Sequence, residues 1–345
     1  MSHAGVLHRA ESALYYACGY SCDHAVLILL DNAPRWLITD GRYTTEAKEA
    51  GCLAEVVESS DLMKTARKLI RRSGQRRWIV DPKEWSHGAL TALQKGLPGF
   101  QLLFRPDYSP LQRAVKSPQE IALIRQSVQE NAQAFDRFAH WLLENGEGRS
   151  EAQLHFQLES FVRQSGERDL SFHPILALNS AAAKPHALPG STPLKRGDLL
   201  LLDAGSKYRR YCSDRTRTAE FGPKGLLFSL EQRFSDPRRQ KIYDLVLKAH
   251  DRAIAHARAG MRASELDRIA RAVIEEAGYG AYFNHSLGHG VGLDIHEHPY
   301  INRRNDRVLT EGMVFTIEPG IYLPGEFGVR IEDVVVIQGD RAEVL

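Results

Sequence analysis

Five residues whose types and placement suit the binding of divalent metal ions lie in the second half of this 345-residue sequence. They are Asp203, Asp214, His289, Glu318 and Glu332. Four carboxylates and a neutral imidazole carry a charge of about −4, which two divalent cations would balance. Oxygen-rich ligation with one imidazole suits hard or borderline ions, so we expect Mn²⁺, with Co²⁺ or Zn²⁺ as alternatives. Two such ions about 3.5–4 Å apart can share a water and lower its pKa, which is hydrolytic chemistry.

The imidazole lies in the stretch His285–His296, which contains three histidines and three glycines. The glycines let the backbone approach another group closely or adopt conformations closed to other residues. His289, between two of them, is a poor candidate for a routine core histidine. The alternative for it is a turn residue that is hydrogen-bonded to backbone. His285 and His296 could each be ordinary loop residues.

The two aspartates belong to a predicted hairpin. An apolar strand ends in Asp203, and residues 206–218 can turn and return as a partner strand that carries Asp214. Such a hairpin would bring together two carboxylates that repel each other, and they would then need a shared proton or a cation. The alternative is that Asp203 caps the strand end while Asp214 pairs with Arg215 or Arg217.

The two glutamates also follow strand patterns. Met313–Ile317 is an apolar strand that leads to Glu318 at the start of a Pro-Gly turn. In residues 328–336, strand alternation places Arg330 and Glu332 on one face. A glutamate inside so apolar a strand is expensive to bury unless it is paired or bound to metal. The alternative is an Arg330–Glu332 pair at the surface.

The rest of the chain must position these residues. Residues 1–110 alternate strands and helices and predict a small α/β unit without a phosphate-binding glycine loop. After the linker Arg105–Pro110, a capping serine, a proline and a glutamate begin a helix at Ser117. From there the pattern is two helices, strands, two helices and strands, an approximate internal duplication. We therefore expect domains at 1–113 and 114–345.

Composition narrows the choice of partners and location. A net charge of +2, with no Lys/Arg block that includes aromatic residues, argues against a nucleic-acid partner. The four cysteines form no C-x-x-C pair and predict reduced thiols. No signal-peptide pattern occurs, and the longest apolar runs are too short to cross a membrane. We expect a cytoplasmic protein with no membrane partner.

Taken together, these motifs resemble those of the pita-bread metallopeptidases, especially the branch of Xaa-Pro aminopeptidases (aminopeptidase P) and Xaa-Pro dipeptidases (prolidases). The similar segments are Leu202–Gly205, Ser213–Thr218, His285–His296, Ile317–Gly320 and Arg330–Asp333. Leu37–Tyr43 is more loosely similar to a creatinase-type N-terminal domain. The resemblance implies an α+β pita-bread catalytic domain, with a curved and mostly antiparallel sheet backed by helices. A smaller α/β creatinase-type domain would precede it.

The resemblance also implies roles for individual residues. The two aspartates would chelate one ion and bridge to a second, which the histidine and the first glutamate also hold, with the second glutamate bridging. His186 matches a substrate-side histidine, while His285 and His296 match histidines that line the proline pocket and assist the tetrahedral intermediate. Arg330 matches an arginine that orients the acids, and Glu318 is the expected proton shuttle. Relatives usually form homodimers.

Two departures from the family pattern bear on specificity. The segment Phe221–Pro237 is longer than usual, and Tyr300 stands where such dipeptidases often have an arginine for the substrate carboxylate. We therefore expect an aminopeptidase that releases the first residue from peptides with proline second. The alternative is a dipeptidase in which Arg303 or Arg304 substitutes. A methionine aminopeptidase would lack the N-terminal domain and His285, and a non-hydrolytic peptide-binding relative would have lost ligands.

Overall fold

The structure is a computed structural model that describes residues 4–222 and 225–345. The chain divides into two compact units, Met1–Arg113 and Ala114–Leu345. Each unit has its own buried apolar clusters. Within the described ranges, no helix is long and apolar enough to cross a membrane.

The first unit is a mixed six-stranded sheet with the strand order β4-β3-β2-β1-β5-β6. Its strands are β1 (Gly5–His8), β2 (Ala25–Leu30), β3 (Ala33–Thr39), β4 (Glu55–Glu58), β5 (Arg77–Val80) and β6 (Gln101–Phe104). Its helices are α1 (Glu11–Cys18), α2 (Thr44–Glu49), α3 (Leu62–Ser73), α4 (His87–Gln94) and α5 (Tyr108–Gln112). The β2–β3 hairpin turns at Asp31 and Asn32, which both have positive φ and so match the twist of the two strands.

The second unit follows the predicted order of two helices, strands, two helices and strands. Its helices are α6 (Pro118–Asn145), α7 (Glu151–Val162), α8 (Pro237–His256) and α9 (Ala263–Glu276). Its first strands are β7 (Asp169–Leu170), β8 (Ile175–Leu178), β9 (Leu199–Ala204), β10 (Ser206–Tyr208), β11 (Tyr211–Cys212) and β12 (Arg215–Glu220). Its later strands are β13 (Gly288–Gly290), β14 (Glu297–Ile301), β15 (Val314–Ile317), β16 (Gly320–Leu323), β17 (Phe327–Arg330), β18 (Asp333–Gln338) and β19 (Arg341–Val344).

The described strand pairs of the second unit are antiparallel, as predicted. They divide into several sheets rather than one continuous ladder. A sheet β12-β9-β8 and a sheet β14-β13-β15-β18-β19 supply the strands next to the predicted site residues. The two-stranded sheet β16-β17 and the three-stranded sheet β11-β10-β7 are separate.

Strand β9 is buried on both faces, which explains its unbroken apolar sequence. Leu199 and Leu201 pack in the cluster that includes α8 and α9, whereas Leu200 and Leu202 pack in the cluster that includes α6 and α7. Because side chains alternate along a strand, Asp203 follows the face of Leu199 and Leu201. The strand therefore carries a carboxylate into the interior of the unit.

Residues 328–336 do not form the single strand that the sequence predicts. Strand β17 ends at Arg330, and β18 begins at Asp333 in a different sheet. The two residues between them bond elsewhere: Ile331 N–H donates to the Pro319 carbonyl and Glu332 N–H to the Thr216 carbonyl. The chain thus crosses from one sheet to another at Glu332, and that crossing sets the position of its side chain.

Candidate active site

All nine residues selected from the sequence line one cavity of about 590 Å³ in the second unit. They are His186, Asp203, Asp214, His285, His289, His296, Glu318, Arg330 and Glu332. The chain brings them together from positions up to 146 residues apart (332 − 186). Their spacing along the sequence alone could not predict that they would lie together.

The two aspartates are delivered by the β9–β12 pair. Asp203 lies near the end of β9, and Asp214 immediately precedes β12. The excursion between them contains the short β10–β11 pair, so the hairpin is more elaborate than a simple turn. Asp214 does not pair with the nearby arginines, because Arg217 and Arg215 contact Asp333 at 2.6 and 3.5 Å. The alternative reading of Asp214 is therefore wrong.

The two glutamates are delivered by the β15–β18 pair. Ile317 pairs with Asp333, so Glu318, just after β15, and Glu332, just before β18, lie at the same end of the sheet. Arg330 does not form a surface pair with Glu332: both side chains are buried, and Arg330 Nη2 lies 2.5 Å from Asp203 Oδ2. The arginine thus fixes one acid of the cluster.

The glycines of the histidine-rich stretch permit close backbone packing. A Cβ on Gly288 would lie 1.9 Å from the carbonyl oxygen of Thr316. A Cβ on Gly290 would lie 2.3 Å from the carbonyl oxygen of His298. The backbone of β13 therefore packs directly against the neighbouring strands β15 and β14. This packing places His289 at the cavity wall.

His289 has one nitrogen committed to backbone and one facing carboxylates. Its Nδ1 lies 3.1 Å from the carbonyl oxygen of Gly290, which was the contact expected of a turn histidine. Its Nε2 lies 3.5 Å from both Asp214 Oδ2 and Glu318 Oε1. Burial and the adjacent His296 lower the pKa of His289 to about 4, so the ring is neutral at pH 7. A neutral imidazole with a free nitrogen is the form that binds metal.

Uncommitted ligand atoms converge in this cluster. Asp214, His289 and Glu332 each offer one ligand atom, and these atoms lie within 4.8 Å of one another. Buried carboxylate oxygens of Asp203, Asp214 and Glu332 have no hydrogen-bond partner among the described residues. Because a buried polar atom without a partner is costly, these oxygens fit the role of metal ligands. The residues present therefore suit divalent cations.

The carboxylates perturb one another strongly. Burial raises the pKa of Asp214 and of Glu332 well above the usual range, and the neighbouring carboxylates raise both further. Burial also raises the pKa of Glu318 to about 8, although Arg330 opposes the rise. Acids this close must hold protons unless a cation compensates them, and a divalent ion would stabilise their ionised forms.

A hydrogen-bonded chain of three residues is connected to these acids through Arg330. His285 Nδ1 lies 2.8 Å from the carbonyl oxygen of Ser286, so we assign the ring proton to Nδ1. His285 Nε2 then accepts from the Tyr322 hydroxyl at 2.9 Å, and that hydroxyl accepts from Arg330 Nη1 at 2.8 Å. Burial and Arg330 lower the pKa of His285 to about 3, so it stays neutral.

The remaining two predicted histidines are accessible to solvent. His186 and His296 are both solvent-exposed residues of the cavity lining. The rings of His296 and His289 meet edge to face, with their centroids 4.3 Å apart. Burial lowers the pKa of His296, so it too is neutral at pH 7. These two imidazoles are the predicted site histidines with the most access to a bound molecule.

The rest of the cavity lining is mostly apolar. It comprises Phe172, Pro174, Ile175, Pro185, Ala187, Leu188 and Pro189, with His155 and His173. Leu188 is 88% exposed and lies at the solvent side. A ligand in the cavity would therefore place polar atoms against the carboxylates and apolar groups against these residues.

Two family models match the chain. The model for the Creatinase/Prolidase N-terminal domain matches residues 4–104, and the model for Metallopeptidase family M24 matches residues 122–339. The chain belongs to metallopeptidase family M24. This M24 peptidase has the two-part organisation implied by its motifs, a creatinase-type N-terminal domain and a pita-bread domain.

Named relatives of this M24 peptidase include dipeptidases and an aminopeptidase. It is 40% identical to the Xaa-Pro dipeptidase of Pyrococcus furiosus over 68% of this chain and 63% of that enzyme. The structure of the X-Pro aminopeptidase from Thermotoga maritima is similar, with a TM-score of 0.86, 32% identity and coverage of 99% and 94%. That of the Xaa-Pro dipeptidase from Bacillus anthracis has a TM-score of 0.88, 31% identity and coverage of 99% and 92%.

Two further residues of this M24 site were not predicted from the sequence. The Thr216 hydroxyl donates to Glu332 Oε2 at 2.7 Å and accepts from Arg330 Nε at 3.0 Å. Tyr322 joins Arg330 to His285, as described above. Thr216 lies in the predicted partner strand, two residues after Asp214, which was an available signal. Nothing in the sequence around Tyr322 distinguishes it from a core tyrosine.

The two departures from the family pattern have different outcomes. Tyr300 is 37% exposed and is not among the described residues that line the cavity. Arg303 is held at the surface by Glu275 at 3.1 Å. The longer segment Phe221–Pro237 includes positions 223 and 224, which lie outside the described residues. Its effect on the cavity therefore stays a prediction.

Proposed function

We propose that this M24 peptidase is an Xaa-Pro dipeptidase, which hydrolyses the bond before the proline of a dipeptide. The observation that carries the proposal is the carboxylate–imidazole cluster in a cavity whose other lining residues are mostly apolar. The relatives named as dipeptidases favour this reading over the aminopeptidase expected from Tyr300. Tyr300 is also weak support for the aminopeptidase because it lies outside the described cavity lining.

The second candidate is the Xaa-Pro aminopeptidase, which accepts longer peptides. The T. maritima enzyme that bears this name covers almost the whole chain at 32% identity. The cavity is also open toward exposed lining residues, including Leu188, where a longer peptide could extend. Both candidates share the substrate feature of proline in the second position, which leaves a bond without an N–H group.

The proposed metal ligands are the five residues identified first in the sequence. Asp203, Asp214, His289, Glu318 and Glu332 would hold two divalent ions, with Mn²⁺ as the first candidate and Co²⁺ or Zn²⁺ as alternatives. Such ions, when bound, polarise a carbonyl and lower the pKa of a water. The uncommitted buried oxygens of Asp203, Asp214 and Glu332 support this assignment.

The other site residues bind and orient. Arg330 holds Asp203 in place, and its own position is fixed by Tyr322 and Thr216. His186 and His296 are imidazole donors placed to bond a substrate carbonyl or the oxyanion that develops from it. Glu318, whose pKa is raised to about 8, is suited to carry a proton to the leaving proline nitrogen.

The structure suggests a different role for His285 from the one implied by the resemblance. Both of its ring nitrogens already contact the protein, at the Ser286 carbonyl and the Tyr322 hydroxyl. We propose that it lines the proline pocket and orients Tyr322 and does not donate to the substrate.

The domain roles of residues 1–113 and 114–345, the homodimer and the cytoplasmic location also remain predictions of the sequence.

The test compares a dipeptide Xaa-Pro with a tripeptide Xaa-Pro-Yaa after chelation and reloading with Mn²⁺ or Co²⁺. We expect the dipeptide to give the higher kcat/KM and an Xaa-Ala dipeptide to be cleaved poorly. Asp214→Asn should abolish cleavage, whereas the surface substitution Asp340→Asn should leave it unchanged. Equal or faster cleavage of the tripeptide would make the enzyme an aminopeptidase. Failure to cleave either peptide with metal bound would reject the Xaa-Pro assignment and leave only the family.

A further inference from the structure

A buried ion pair lies in the second unit outside the set of residues discussed so far. Lys116 Nζ lies 2.7 Å from Glu297 Oε1, and each side chain is only 1% exposed. A buried ion pair seldom stabilises a fold more than two apolar side chains of the same volume would. A contribution to stability alone is therefore a poor explanation for it, and its location points to another role.

The glutamate of this pair is packed against the loop that carries two site histidines. Glu297 follows His296 directly and pairs with Gly290, the residue after His289, in the β13–β14 ladder. Its carboxylate lies against Gly292, where a Cβ would be 2.4 Å from Oε1. The carboxylate thus lies against the loop at residues 290–297. His289 directly precedes the first residue of this loop, and His296 directly precedes its last residue.

The lysine of the pair is anchored to the strand that delivers a proposed metal ligand. Lys116 N–H donates to the Gly312 carbonyl at 2.8 Å, and Val115 forms a bridge to Met313. Met313 leads directly into β15, at the far end of which lies Glu318. The ion pair therefore joins the histidine loop to the base of this strand through a contact that excludes water.

We propose that Lys116 and Glu297 are a positioning pair that fixes the loop at residues 290–297 and thereby the imidazoles of His289 and His296. Neither residue is among the described residues that line the cavity. Each acts on the site through the backbone of the loop. The inference rests on the proposed metal ligands, but it does not depend on which peptide is the substrate.

The decisive variant replaces both charges by apolar groups of similar volume, Lys116→Met with Glu297→Met. Because the pair adds little to stability, we expect the urea midpoint of the metal-free protein to stay unchanged. Because the loop loses its fixed geometry, we expect Mn²⁺ affinity, measured by calorimetry, to fall about tenfold, with a similar loss of kcat/KM. A merely stabilising pair would change the urea midpoint and leave Mn²⁺ affinity intact.

A matched control removes a second ion pair of the same unit. Arg168 and Glu130 are 2.7 Å apart, with side chains 25% and 12% exposed, and neither lines the described cavity. Arg168→Met with Glu130→Met should leave Mn²⁺ affinity and kcat/KM at the values of the unmodified protein. This control separates loss of an ion pair in general from loss of the loop contact.

A second variant reaches the same contact without removing a charge. Gly292→Ala would place a methyl group against the Glu297 carboxylate and displace it, so Mn²⁺ affinity should fall as in the double variant. Gly88→Ala is the control, because its Cβ would meet no described atom within 4 Å. If the double variant fails to fold, Gly292→Ala decides the question. Normal Mn²⁺ affinity in Gly292→Ala, or in a folded double variant, would overturn the proposal whether or not any Xaa-Pro peptide is cleaved.

Discussion

Three carboxyl groups of the site have pKa values above those of the same groups in water. Asp214 and Glu332 are buried and Glu318 is half-buried in the same cavity, and their raised pKa values mean that the metal-free folded protein keeps protons that the unfolded chain releases. For Glu318 the window runs from the ordinary value of 4.5 to about 8. Stability linked to this proton is fully present below the lower value and is lost as pH rises through the upper one.

The metal-free protein should therefore become less stable between about pH 5 and pH 8, by about 1.4 kcal/mol per pH unit for each proton held only in the folded state. Urea midpoints of the chelated protein across this range measure the slope. Glu318→Gln, which cannot ionise, should flatten it, and saturating Mn²⁺ should remove it, because cations stabilise the ionised acids. A flat profile in the unmodified, metal-free protein would contradict the proposed crowding of carboxylates.

Tyr322 is a further residue whose contribution can be measured. Tyr322→Phe removes the hydroxyl that links Arg330 to His285 and leaves the aromatic ring in place. We expect kcat/KM to fall about tenfold or more, because Arg330 would hold Asp203 less firmly. The matched control is Tyr282→Phe, at a 37% exposed tyrosine. Equal activities of the two variants would show that the hydroxyl has no role in orienting the site.

At the scale of elements, strand β13 should tolerate little substitution, because two of its three residues are glycines in close contact with neighbouring backbone. A methyl group on Gly288 would lie 1.9 Å from the Thr316 carbonyl oxygen, a backbone atom that cannot move without disrupting the β13–β15 contact. Gly288→Ala should therefore lower the free energy of unfolding by about 1–3 kcal/mol or more and weaken Mn²⁺ binding through His289. Gly88→Ala, in a helix with open space, should be neutral or stabilising. Equal urea midpoints would contradict the steric argument.

The long helices could be predicted because their signals are local. The Ser117 side chain caps α6 and Glu120 returns the bond, as the sequence indicated, and the apolar spacing continues to the helix end at Asn145. Short strands such as β7 and β8 were not predicted, because two to four residues carry no readable period. The break between β17 and β18 was not predictable either, since it depends on bonds to the distant residues Pro319 and Thr216.

The ligand set could be predicted, but the contacts among its members could not. Asp203 and Glu318 could be predicted as ligands from their residue types and their positions at strand ends. The structure places both in one cavity. Strand alternation could not indicate that Arg330 binds Asp203 rather than its neighbour Glu332. Nor could it indicate Lys116, which lies 181 residues before its partner Glu297 (297 − 116). Such long-range pairs depend on how the sheets meet.

At the scale of the whole molecule, the two units are expected to respond differently to metal. All five proposed ligands belong to Ala114–Leu345, whereas Met1–Arg113 has a separate sheet and separate apolar clusters. A ligand that binds only the folded state stabilises the structure that forms its site, by about 2.7 kcal/mol at a hundred times its dissociation constant. Metal binding should thus increase stability mainly in the second unit.

Hydrogen exchange of the chelated and Mn²⁺-loaded protein can resolve this difference along the chain. We expect Mn²⁺ to slow exchange in β9, β12, β15 and β18, whose ends carry the proposed ligands, and to change β1–β6 much less, because local stability differs between cooperative units. Asp214→Asn should abolish the Mn²⁺ effect in the second unit without altering the exchange of β1–β6. Equal slowing throughout both units would contradict independent cooperative units. Slowing confined to the first unit would place the metal site outside the carboxylate cluster, because bound metal protects the strands that hold it.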